Sequence, residues 1–158
     1  MPEVAPERAA PGSALLGPVQ LAAIALLVLN DQVLKRAFPG WVTGKLSDLA
    51  GLAFFPLFLQ ALWELGRPRP SRRVLLICVL ATGLVFAFVK TTAPGLAAFR
   101  WGLAALQWPF LAAHDLWSRQ GARTLAPVGA VRDPSDLLAL PMLWVAWVVG
   151  RRRIARLR

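Results

Sequence analysis

The chain has 158 residues, 57% of them apolar and 16% charged, with a mean hydropathy of +0.55. Soluble domains average about 25% charged residues, and a soluble chain this short could not hide so much apolar surface in one core. A net charge of +10 would suggest nucleic acid in a soluble protein, but here the arginines cluster between and after apolar blocks, where the positive-inside rule expects them in an integral membrane protein. The clusters "RPRPSRR" (67–73) and "RRRIARLR" (151–158) also lack the interleaved aromatics that stack on bases. They suit anionic membrane lipids instead, at about 1 kcal/mol per charge. No nucleic-acid partner is expected.

Residues 1–13, "MPEVAPERAAPGS", read as a disordered amino-terminal tail. The first apolar block runs from about Ala14 to Leu29. It is followed by "NDQ" rather than by a small-residue cleavage site, so it reads as a retained anchor. The second block runs from about Leu46 to Leu65, with Pro56 as an expected kink. Glu64 near its end is expected to pair with Arg67 one turn on. The third block runs from Val74 to Val89 and contains the single cysteine, Cys78, which excludes an intramolecular disulfide. With a single histidine, His114, it also argues against a His/Cys zinc site.

Residues 94–113 are long enough to span but carry Arg100, Gln107 and Pro109. A charge near a helix centre costs about 2.5–3.5 kcal/mol on insertion scales. Residues 114–132 are polar with Gly and Pro, and read as a connection. The last block, Leu137–Val149, reaches spanning length only with Pro134–Asp136 included, and with Arg151 and Arg152 snorkelling. Pro141 should kink it or fall in its first turns.

The expected fold is an all-α transmembrane helical bundle with four spans plus one re-entrant or interfacial helix over 94–113. Five spans are the alternative. Four are preferred because both arginine clusters and the tail then lie inside, whereas five would put the carboxyl-terminal cluster outside. Residues 14–150 would form the membrane domain and 151–158 a basic cytoplasmic tail. The expected location is the bacterial inner membrane, multi-pass, with both termini cytoplasmic.

In that topology the outward helix ends are "NDQ", "GKLSD", "KTT" and "RDPSD". After the tail there are six acidic residues, and four of them, Asp31, Asp48, Asp133 and Asp136, lie at these ends. Helix capping accounts for much of this: Asp and Ser suit N-termini, and Lys suits C-termini. Capping fits Ser47, Asp48, Asp133, Ser135, Asp136 and Lys90. It does not fit Asp31 at a C-terminus, two Asp at i and i+3 in the last segment, or Lys45 and Asp48 on one helix face. The competing reading is a shared polar pocket at the outer face. It would contain Asp31, Lys45, Asp48, Lys90, Asp133 and Asp136, roofed by Arg100.

Such carboxylates suit a divalent cation, and the Lys and Arg suit phosphate. Together they point to a phosphate-bearing envelope lipid headgroup, or a partner protein, as ligand. No cofactor is assigned beyond that possible cation. A membrane enzyme of phosphoryl or acyl chemistry using the Asp pair and a metal is one alternative. An oligomeric transporter or channel subunit is another. Small-xxx-small pairs, Ser47/Gly51 and Gly83/Ala87, would let helices approach closely and admit homo-oligomers.

The stretches "LSDLAGLAFFPLFL", "NDQVLK" and "DPSDLLALP" resemble the VanZ-like family of small multispanning bacterial membrane proteins. In those, a charged residue leads into an aromatic-rich apolar helix and a later Asp begins another. The resemblance covers about half of the chain and matches Asp48 and Asp136. The family's His after the first charged residue is absent, since Leu49 and Ala50 follow Asp48. What the resemblance implies is an envelope role near glycopeptide response or lipid handling, without established catalysis.

Overall fold

The computed structural model describes residues 15–38, 40–67, 69–119, 121 and 123–157. The expected tail, 1–13, lies outside them. The described residues form helices with no strand. We label these α1 (Pro18–Ala37), α2 (Trp41–Gly66), α3 (Arg72–Thr91), α4 (Ala93–Trp117) and α5 (Met142–Arg156), with a 3₁₀ turn at Pro134–Ala139 before α5. Helices α1, α2 and α3 are long and apolar enough to cross a membrane. At 1.5 Å per residue, the 20 residues of α1 and of α3 each span about 30 Å, the thickness of a bilayer's hydrocarbon core.

Several expected boundaries are corrected. Helix α1 does not stop at Leu29. It continues through a widened π-type segment, Asn30–Leu34, to Ala37. Polar side chains alone do not end a helix, and the first backbone-breaking pair the sequence offers is Pro39–Gly40. Phe38, just before that proline, has already left helical geometry at φ −135° and ψ 68°. Helix α2 starts at Trp41 rather than Leu46. Its first turn is closed by Thr43, whose Oγ1 accepts from the Gly40 N–H at 3.2 Å. Ser47 and Asp48 therefore sit in the second turn, too far in to cap.

The 94–113 segment is part of one unbroken helix through Pro109, so the break a re-entrant hairpin would need is absent. It starts at a corner set by Thr92, whose Oγ1 accepts from the Gly95 N–H at 3.0 Å. Gly95 is required there: a Cβ would run into the Phe88 carbonyl. The last segment is split. Pro134–Ala139 forms the 3₁₀ turn, Pro141 becomes the N-cap of α5, and helix continues through 151–156 of the expected tail.

The chain divides into two compact units. One runs up to Leu84 and resumes over Leu138–Arg158; the other is Val85–Leu137. In the first unit, α2 packs on α1 and on α5. Its core gathers Leu57 of α2, Leu75 and Val79 of α3, and Ala146 and Ile154 of α5. Helices α3 and α5 run antiparallel, and leucine side chains of each reach a glycine of the other. A Cβ on Gly150 would lie 2.7 Å from Leu75 Cδ2, and one on Gly83 would lie 2.8 Å from Leu143 Cδ1. Gly83 thus has the close approach expected of it, while Gly51 faces open space.

The same unit contains a closed polar clip. Glu64 takes two parallel hydrogen bonds from Arg153, at 2.9 and 2.8 Å, and a third from Gln60 Nε2 at 2.9 Å. The expected partner, Arg67, instead lies over the Trp63 ring at 5.3 Å. Glu64 is only 3% exposed and Gln60 1%. A carboxylate that deep needs a partner with several donors reaching in from another helix, and the Arg153 fork supplies it.

Candidate functional site

The site builds up from the π-type segment of α1. The buried stripe of α1 is Gln20, Ala23 and Asn30, facing α2. On a regular helix Asp31 would point about 100° away from Asn30. The widened turn adds a residue to the circuit, and both side chains reach the same hydroxyl on α2. Asn30 Nδ2 donates to the Thr43 carbonyl at 2.6 Å and to Ser47 Oγ at 2.7 Å. Ser47 Oγ donates in turn to Asp31 Oδ1 at 2.9 Å. Lys35, one turn on, meets the same Asp31 oxygen at 2.7 Å. Thr43 and Ser47 share an α2 face because they are four residues apart.

The two ends of this network differ. Asn30 is fully buried, and its Oδ1 has no hydrogen-bond partner. Asp31 and Lys35 are open, with side chains 49% and 41% exposed. An orphaned buried acceptor costs about 1–3 kcal/mol. An exposed ion pair holds its partners by at most about 1 kcal/mol, so Lys35 is readily exchanged. The network therefore combines an acceptor in need of a donor, a bridging hydroxyl, an open carboxylate and an exchangeable ammonium.

The seven candidate residues divide between the units. Asp31, Lys45 and Asp48 belong to the first. Lys45 is 9% exposed, with its ammonium 4.6 Å from the Trp41 ring centroid, and Asp48 is half-buried. Lys90, Arg100, Asp133 and Asp136 belong to the second. Lys90 Nζ lies 2.6 Å from Asp136 Oδ2, with side chains 17% and 11% exposed. Asp133 caps the 3₁₀ turn: its Oδ1 accepts from the N–H of Ser135 at 2.9 Å and from its hydroxyl at 2.6 Å. Arg100 braces the connection, with Nε donating to the Val128 carbonyl at 2.8 Å. Capping thus holds for Asp133 and fails for Ser47 and Asp48.

The second unit also holds a carboxylate not counted among the candidates. Asp115 near the end of α4 pairs with Arg123 of the connection and touches His114 Nδ1 at 3.3 Å. The Arg123 guanidinium holds the Asp115 carboxyl below the usual aspartate range. Among the described residues, no three His, Cys, Asp or Glu side chains gather as a metal site would need.

Sequence reasoning missed Lys35 and undervalued Asn30 and Ser47. The signal for Lys35 was present: Asp31 and Lys35 have the i, i+4 spacing of a helical ion pair, hidden by ending α1 too early. No family model matches the chain, and no curated protein or solved structure matches it either.

Proposed function

We propose that this is a small multi-pass protein of the bacterial inner membrane that binds a phosphate-bearing lipid headgroup at its outer rim, where α1 and α2 meet. The observation that carries the reading is the half-open network of Asn30, Ser47, Asp31 and Lys35 on the π-type segment. A headgroup phosphate would take Lys35 from Asp31, since Lys binds phosphate as a mobile point charge. The headgroup's amine or hydroxyl would donate to Asp31 and, once the rim opens, to the orphaned Asn30 oxygen. A π-type segment is also a frequent mark of functional sites in helices. The likeness of "LSDLAGLAFFPLFL" to VanZ-like proteins agrees with an envelope role.

The test uses a soluble headgroup with no acyl chains. Glycerophosphoethanolamine is titrated into the full chain in neutral detergent and followed by calorimetry. Lys35→Gln and Ser47→Ala should each weaken binding about tenfold, the equivalent of one charge-assisted hydrogen bond. Arg67→Gln should leave it unchanged. Equal affinity across all four proteins would remove the site.

A further inference from the structure

An apolar groove runs between α3 and α5 in the first unit, lined by Leu76, Val79, Leu143, Trp144 and Trp147, and open along one side. Its volume, about 270 Å³, is below the roughly 300–1,000 Å³ of ordinary ligand pockets. It suits one stretch of hydrocarbon chain rather than a whole small molecule. Its rim stays apolar, with Leu76 44% and Trp144 66% exposed.

What sits at its end identifies the occupant. Because α3 and α5 are antiparallel, the first turn of α3 and the last turns of α5 lie at the same end. Arg72 is four residues before Leu76, and Arg151 is four residues after Trp147. Each arginine therefore continues the groove-lining stripe of its own helix. Arg151 already leans along that stripe, with its guanidinium 5.6 Å from the Trp147 ring. Arg72, Arg73 and Arg151 are all exposed. An apolar channel ending between cations from two helices has the charge pattern of an anionic amphiphile.

We propose that this groove holds an anionic phospholipid of the leaflet facing the arginine-rich ends, one acyl chain along Leu76, Val79 and Trp147, and the phosphate between Arg72 and Arg151. The site is separate from the Asn30–Lys35 network and does not depend on it. Trp144 and Trp147 flank the chain, and the two guanidinium forks take the phosphate oxygens. Recognition comes from the negative headgroup, so a zwitterionic lipid with the same chains binds weakly.

The experiment is native mass spectrometry of the full chain in neutral detergent, titrated with dioleoylphosphatidylglycerol or dioleoylphosphatidylcholine. Two arginines at about one decade or less each give an expected preference of about thirtyfold for phosphatidylglycerol. The double variant Arg72→Gln/Arg151→Gln should reduce this preference to about threefold or less. Arg156→Gln, off the 143/147/151 stripe, should keep it. Leu76→Trp fills the groove and should lower occupancy by both lipids, which separates a seated chain from diffuse attraction to arginines. Equal binding of the two lipids by the unaltered chain overturns the proposal. So does a preference that survives the double variant. A third overturning result is a second copy in place of lipid, seen as a dimer mass that Leu76→Trp abolishes.

Discussion

Helix α2 carries a polar network near each of its ends, and the two are built on opposite plans. Near its carboxyl end, Glu64 is sealed: the Arg153 fork and the Gln60 amide take its oxygens, and almost nothing is exposed. Near its amino end, Ser47 joins a buried Asn30 to an exposed Asp31 and Lys35. Glu64 lies 17 positions after Ser47, about 25 Å along the helix. A closed network stabilises and holds nothing else. The open one is available to a ligand because Asp31 and Lys35 reach solvent; a buried acceptor without a partner is common to both networks, Asn30 Oδ1 in one and Gln60 Oε1 in the other. Burial, more than residue type, separates the two roles, since both contain an acid and a base.

The largest effect expected from this contrast lies in the closed network. Arg153→Met leaves Glu64 buried without its charge partner and should cost about 3–5 kcal/mol, read as loss of helical circular dichroism with increasing SDS. The double change Glu64→Leu/Arg153→Met should recover most of it, because apolar replacement of a whole buried pair is near neutral. A single-variant loss under about 1 kcal/mol would mean that α5 is held by packing alone.

Lys90 and Asp136 form an intermediate case, enclosed more than Asp31 and Lys35 but less than Glu64. Lys90→Met should cost about 1.5–3 kcal/mol, the range for a hydrogen bond to a charged group, in the same SDS titration. A cost matching that of Arg153→Met would place this pair with the closed networks. No measurable cost would place it with the open one.

The long apolar blocks made the all-helical fold legible, and with it helices long and apolar enough to cross a membrane. The expected pocket counted Lys90 and Asp136 among its seven residues, and these two do pair. The helix ends were misread for one physical reason. "NDQ" and "GKLSD" look like termini since they are polar, yet backbone breakers end helices, and those lie at Pro39–Gly40. That one shift moved Ser47 from a cap to a bridge and hid Lys35. The Glu64–Arg153 pair was beyond reach: 89 positions separate the partners, and only tertiary packing of α5 on α2 joins them.

The Asp115–Arg123 clip adds a test by pH. Asp115 titrates below the ordinary aspartate value in the folded chain, because Arg123 stabilises its charged form. Its contribution is therefore complete above the unfolded value, about pH 4, and is lost as pH falls through the lowered folded value. A nitroxide at position 124, on a Cys78→Ala background, should stay restrained at neutral pH and become mobile only on strong acidification. Arg123→Gln should mobilise it at neutral pH already. A label that is equally mobile in both proteins at neutral pH would show that the clip does not hold the connection.

The smallest change in stability is expected at Asn30, where the open network is most sharply tested. Asn30→Leu keeps the side chain's shape but removes two donated hydrogen bonds, each worth about 0.5–1.5 kcal/mol net. It also removes the orphaned Oδ1, whose burial costs about 1–3 kcal/mol. Thr43's carbonyl keeps its ladder bond within α2, and Ser47 still has Asp31. These terms oppose one another, so stability in the SDS titration should move by no more than about 1 kcal/mol. Affinity for glycerophosphoethanolamine should nonetheless fall, since the acceptor and the anchor of Ser47 are both gone. That split is what distinguishes a residue kept for a ligand from one kept for the fold: a structural Asn30 would lose stability and leave no binding to lose.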